Sequence, residues 1–395
     1  MIRRKTAACV TASIALAIFL NGCNTEGAAE GLVPTTQTIA PEDIWWKVPF
    51  PDLETSDGDP DLTLVGQNIE ILNINEDYIE KGAVGIDEKD GDISHLIKIE
   101  HNIDTNSIGD YIVRYTLTDS DGNHAVEINR IVRVYNEKPE SLSHRPILST
   151  QANFGYLEHL PADYGLDPDK KYPLLIYNHG NGVNTERTGT DPINALNYVA
   201  DNGGPPTLMQ NGQWDETLPF IVLTPHFGFI DGYDNVFRFN VFVEYALHTY
   251  NVDTSRVYFA GWSQGGLASY DYTTKHADKV AAVVSVSGGY PYGNTIPREF
   301  CDIENTPIWL FHGTSDEVIA HGRSVSGYNK IIDNCQPTTL PKLTLVEGAD
   351  HNLHDSIFSL SGLAGGSSNY QFDSRYDEYS PSVYQWLLSH SKTQD

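Results

Sequence analysis

Six short apolar, β-branched and aromatic runs, YPLLIYNHG, LPFIVLTPH, RVYFAG, VAAVVSVSG, TPIWLFHG and PKLTLVEG, recur between Tyr172 and Gly348. A strand with one wet face alternates apolar and polar residues. These runs are apolar throughout, so both faces of their sheet must be covered. Intervening segments such as NVFVEYALHTY and GLASYDYTTKHAD are long enough to be the covering helices. The pattern predicts an α/β domain, a mostly parallel sheet with helices on both faces, over residues 138–395. With 40% hydrophobic residues in 395, the chain can bury this sheet and a second core as well.

That second core is predicted over residues 51–137, where the grammar changes to alternation. GDYIVRYTLTDSDGNHAVEINRIVRVYN places Tyr111, Val113, Tyr115 and Leu117 on one strand face, turns at DSDGN, and then alternates Val126, Ile128, Arg130, Val132 and Val134. Short strands with Asp/Gly turns imply an all-β sandwich. Asp119, Asp121 and Asn123 are spaced as in a calcium loop, but His124 stands where the loop needs glycine and Arg130 where it needs glutamate. Turn chemistry accounts for them instead, with calcium at Asp57, Asp87, Asp90 or Asp92 the lesser alternative. The stretch from Gly91 to Val134 resembles the Ig-like modules of bacterial surface proteins, which implies a spacer or adhesive unit.

The N-terminus, MIRRKTAACVTASIALAIFLNGC, opens on Arg3, Arg4 and Lys5 and continues through an apolar run too short to span a bilayer. Leu20-Asn21-Gly22-Cys23 resembles the lipobox of bacterial lipoproteins, with an ordinary secretory signal as the alternative. The resemblance implies a signal peptide over 1–22 and a lipid-bearing Cys23. With Asn24 rather than aspartate after it, the expected location is the outer membrane, on its periplasmic or surface-exposed face. Residues 23–50 read as a flexible linker, with Trp45 and Trp46 expected to pack on the next domain. With 25 Lys and Arg against 53 Asp and Glu, the chain repels nucleic acid, and no nucleic-acid partner is expected. Exported Cys301 and Cys335 can oxidise to a disulfide or remain two free thiols.

Gly261-Trp262-Ser263-Gln264-Gly265 lies between a predicted strand, Arg256 to Ala260, and a predicted helix that starts at Gln264. In that setting the glycines relieve a strained turn that lifts the serine hydroxyl above the sheet. Such a nucleophile needs a base and an orienting acid, which should follow later strands in the order Ser, Asp, His. Asp316 and His351 occupy those places. Glu317 and Asp350 are expected to be solvated, and His354, the main rival to His351, to line the pocket wall. His179 and His312 are expected to hold loops. The backbone amides of Gln264 and of Asn181, in the loop HGNG, are the expected oxyanion donors. Phe227, Phe229 and Tyr233 are read as subsite or core residues, and Phe237 and Phe239 as core. No zinc-type spacing is present, and no metal or cofactor is expected.

YLEHLPADYGLDPDKKYPLLIYNHGNG, YNVDTSRVYFAGWSQGG, CDIENTPIWLFHGTSDEVI and ADHNLHDSIF together resemble the α/β-hydrolases of the dienelactone-hydrolase-like and polyhydroxybutyrate-depolymerase-like esterase group, from about Phe154 to the last helix. The resemblance implies a serine carboxylester hydrolase with Ser263, Asp316 and His351 as its triad, and a Cys301–Cys335 disulfide. His354 stands where the group commonly has tryptophan and His226 where it has glutamine, differences that bear on the substrate. The expected partner is an ester, carried by a polysaccharide or a polyester outside the cell. The alternatives are a serine peptidase on the same triad and a non-catalytic adhesin or glycan-binding lipoprotein.

Overall fold

The computed structural model describes residues 58–392 apart from 67, 136–140, 148, 168, 185–191, 229–232, 290–297 and 360–370. The signal peptide, Cys23, the linker with Trp45 and Trp46, Asp57 and Phe229 lie outside the described residues.

The alternating segment forms two small sheets. One runs β1 (Asp61–Leu64), β3 (Ala83–Asp87), β4 (Gly91–Asp92), all antiparallel. The other runs β2 (Ile69–Asn73), β7 (Ile128–Tyr135), β6 (Gly109–Thr116), β5 (Lys98–His101), with β2 parallel to β7. Val113, Tyr115, Val132 and Val134, from the predicted inward faces, are buried together with Leu72. Arg130 shares this interior, where its Nε donates to Tyr115 Oη at 3.0 Å and its Nη2 to the Val65 carbonyl at 2.7 Å. The acidic turns bond within themselves and to each other: Asp119 Oδ1 accepts the amides of Asp121 and Asn123, Asp87 Oδ1 those of Lys89 and Asp90, and Asp90 Oδ2 that of Ser120.

The six apolar runs become β10 (Tyr172–Asn178), β11 (Ile221–Pro225), β12 (Val252–Trp262), β13 (Ala282–Val286), β14 (Ile308–Gly313) and β15 (Lys342–Val346). Two further strands, β8 (Ser143–Arg145) and β9 (Tyr156–His159), extend the sheet to the order β8-β9-β11-β10-β12-β13-β14-β15. β9 pairs antiparallel with both β8 and β11, and β10 to β15 pair in parallel. This is the α/β-hydrolase fold. Adjacent residues serve opposite faces, as strand geometry requires. Leu174 and Ile176 pack beneath α3 (Tyr233–Thr249), α4 (Gln264–Lys275) and α5 (Gly322–Asn334), whereas Leu175 and Tyr177 pack beneath α1 (Pro192–Ala200), α6 (His354–Phe358) and α7 (Val383–Leu388). One helical expectation is corrected: Phe239 is buried, but Phe237 is 55% exposed. Two residues apart on a helix lie about 200° apart around its axis, so both cannot face the sheet.

The sandwich and the sheet share one apolar cluster, to which Ile69, Ile71 and Ile131 contribute. Beside it lies a charged seam. Arg133 of β7 pairs with Glu158 of β9 at 2.5 Å and Asp110 of β6 at 3.2 Å, and Arg145 of β8 reaches Glu158 at 2.9 Å. Tyr250 donates to the second Glu158 oxygen at 2.5 Å. Burial by itself would raise the Glu158 pKa, but the two guanidinium groups outweigh it and hold the carboxyl at about 2.

Candidate active site

Where β12 gives way to α4, Ser263 adopts φ 55°, a left-handed conformation that a side-chain-bearing residue occupies only at a cost of about 1–3 kcal/mol. Its amide bonds the Val286 carbonyl at 2.8 Å, and its carbonyl accepts from Leu267 at 3.0 Å to start the helix. The turn needs its glycines. A Cβ on Gly265 would lie 1.9 Å from the Asn178 carbonyl oxygen, so the loop after β10 abuts the elbow directly.

The structure brings Ser263, His351 and Asp316 together. His351 Nε2 lies 2.8 Å from Ser263 Oγ, and His351 Nδ1 lies 2.7 Å from Asp316 Oδ2. An ionised carboxylate only accepts, so Nδ1 carries the hydrogen and the Nε2 lone pair faces the serine hydroxyl. Asp316 Oδ1 accepts the amides of Val318 and Ile319, each at 2.8 Å. Its burial would raise the pKa. The bonds from His312, His351 and these amides prevail and hold the carboxyl well below the usual range. The arrangement can activate a hydroxyl as nucleophile and return the proton to a leaving group.

The other candidates fall elsewhere. Glu317 and Asp350 are exposed. His354 is buried, its ring stacked on the Trp262 indole with centroids 3.8 Å apart, and its Nε2 donates to the Asn202 carbonyl at 3.0 Å. Trp262 Nε1 in turn donates to the His351 carbonyl at 2.7 Å. His179 accepts the Phe227 amide at 3.2 Å and donates from Nδ1 to the Gly180 carbonyl at 2.9 Å; burial depresses its pKa to about 3. Phe227 stacks on that ring and is core. Gln264 is the first residue of α4, and Asn181 opens a 3-10 turn, Asn181–Val183, after β10. Cys301 and Cys335 form a disulfide that joins the 3-10 segment Arg298–Ile303 to the C-terminal end of α5.

Two contacts had no signal in the sequence. His312 binds Asp316 rather than merely its own loop, and Trp262 holds the backbone of His351. Both join residues through space, and neither spacing nor composition encodes such a pairing. Among the described residues, no group of three or more His, Cys, Asp or Glu could hold a metal ion.

Comparison with known proteins separates the two halves in the same way. Residues 62–134 match the family described as bacterial surface protein, Ig-like domain, and residues 233–358 match the phospholipase/carboxylesterase family. The chain is 33% identical over 150 residues to endo-1,4-beta-xylanase Y of Acetivibrio thermocellus, covering 33% of this chain and 13% of that protein. It is 30% identical over 178 residues to a bifunctional acetylxylan esterase/xylanase of Neocallimastix patriciarum, covering 44% of this chain and 23% of that protein. The chain thus spans less than a quarter of either relative. Among solved structures, a thermostable esterase aligns with TM-score 0.44 at 20% identity over 72% of each chain. A feruloyl esterase module from Clostridium thermocellum aligns with TM-score 0.39 at 20% identity, over 57% of this chain and 88% of that one.

Proposed function

We propose that this protein is a serine carboxylester hydrolase that removes acyl groups from polysaccharide outside the cell. The observation that carries the reading is the unbroken path of hydrogen bonds from Ser263 Oγ through His351 to Asp316, set on a left-handed serine at the start of a helix. His351 accepts the serine proton as Oγ attacks the ester carbonyl, and Asp316 keeps the imidazole in the required tautomer. The tetrahedral oxyanion is received by the amides of Gln264 and Asn181, each worth about 3 kcal/mol to the transition state. His351 then protonates the departing alcohol, and water releases the acyl group by the same route. The match to a carboxylesterase family supports the reaction class, and the kinship with xylan-active proteins supports a polysaccharide ester as substrate. The surface-protein match of the sandwich supports an extracellular or surface location, to which lipid on Cys23 would tether the chain.

A fluorophosphonate probe tests the reading directly. The signal-free protein should be labelled, and Ser263→Ala and His351→Ala should abolish labelling. A folded parent that stays unlabelled would make the serine a mere turn residue and favour an adhesin. Acetylated xylan should then be deacylated faster than any peptide is cleaved; the reverse order would indicate a peptidase.

A further inference from the structure

The hydrogen bonds do not stop at Asp316. Ser263 Oγ meets His351 Nε2 at 2.8 Å, His351 Nδ1 meets Asp316 Oδ2 at 2.7 Å, the same oxygen meets His312 Nε2 at 3.0 Å, and His312 Nδ1 meets Ser324 Oγ at 2.7 Å. One carboxylate oxygen therefore sits between two imidazoles, each with a serine hydroxyl on its far nitrogen. The second arm lies wholly inside the protein, with His312 0% and Ser324 1% exposed, so it cannot reach a substrate.

His312 Nε2 also lies 2.8 Å from the Ile319 carbonyl. Carbonyl and carboxylate oxygens only accept, so Nε2 carries a hydrogen and shares it between them. The ring is the last but one residue of β14, the strand next to the β15 edge, and Ser324 approaches it from the first turn of α5. Strand and helix thereby grip the turn that carries Asp316 at its carboxylate and at Ile319. The two amides on Oδ1 belong to that turn and would move with it, whereas His312 belongs to the sheet.

We propose that His312, steadied by Ser324, is a positioning residue that fixes the Asp316 carboxylate relative to the sheet, so that one Oδ2 lone pair faces His351. The proposal rests on the serine-hydrolase reading. Without this donor, Oδ2 loses a buried partner and the turn one of its ties to the sheet, beside the backbone bonds of Thr314, Ser315 and Asp316, so the carboxylate can tilt away from the imidazole it must orient.

Three variants of the full signal-free chain test this. His312→Met removes the donor at similar volume, His312→Gln keeps an N–H where Nε2 stood, and Ser324→Ala releases the ring. The readouts are the rate of fluorophosphonate capture, kcat and KM on p-nitrophenyl acetate, and the low-field proton resonance of the His351–Asp316 bond. His312→Met should slow capture and lower kcat about 10- to 100-fold while KM stays within about twofold, since a misplaced catalytic group costs rate rather than ground-state binding. His312→Gln should recover most of that loss, and the low-field resonance should shift in His312→Met but not in His312→Gln. A folded His312→Met that captures the probe at the parent rate overturns the proposal, as does a His312→Gln no faster than His312→Met. Should His312→Met fail to fold, Ser324→Ala decides: slower capture supports the role and unchanged capture removes it. An unlabelled parent defeats the hydrolase reading and this inference with it, whereas a labelled parent beside an unimpaired His312→Met defeats the inference alone.

Discussion

At the residue Gly265, a methyl group 1.9 Å from the Asn178 oxygen has nowhere to go, because the nearest atoms it meets are backbone, of Asn178 and His179. Gly265→Ala should therefore push the loop after β10 away from the elbow and slow fluorophosphonate labelling about 100-fold, with far-UV circular dichroism preserved. Parent-like labelling would mean that the elbow tolerates a wider loop. That glycine was legible in the sequence, as were Ser263, Asp316 and His351, because a glycine-flanked serine between a strand and a helix, and polar residues just past later strands, are statements about order along the chain. His312 and Trp262 were legible only as residue types. What each does depends on which atom lies opposite it, and that is fixed by packing between β14, α5 and the loop after β15.

Elements show the same division. β10 to β15 could be read because two-sided burial leaves an unbroken apolar run. β8 and β9 have no such run, since SHR and YLEH carry an arginine, a glutamate and a histidine that are nonetheless buried. Arg145 and Glu158 pair with each other and with Asp110 and Arg133 of the sandwich, and His159 bonds the Ser141 carbonyl, so no hydropathy pattern within the strands can reveal them. The disulfide acts at this scale as well. It ties a segment packed near α4 to the end of α5, closing a loop with a sequence separation of 34. Replacing both Cys301 and Cys335 by serine should cost about 2–4 kcal/mol in chemical denaturation while leaving kcat nearly unchanged, since neither sulfur touches the triad. A large loss of kcat at full stability would contradict this purely structural role.

For the molecule as a whole, the seam at Glu158 decides how the halves behave. The folded carboxyl titrates at about 2, against about 4.3 in an unfolded chain. Because the folded value is depressed, its stabilisation is complete above about pH 4.3 and is lost as pH falls toward 2. Glu158→Gln should cost about 3–5 kcal/mol at pH 7, by taking from buried Arg133 and Arg145 the carboxylate they share, and should flatten the acid loss between those pH values. Guanidinium unfolding followed by tryptophan fluorescence and by far-UV circular dichroism should give one shared transition in the parent. Two separated transitions would show that the sandwich melts by itself. The seam also bears on how such a chain can be assembled in evolution. A gene fusion that exchanged the sandwich for a foreign module would take Arg133 and Asp110 away from the buried Arg145–Glu158 pair. The workable crossover point therefore lies upstream of β1, and sandwich and hydrolase should be inherited as one cassette.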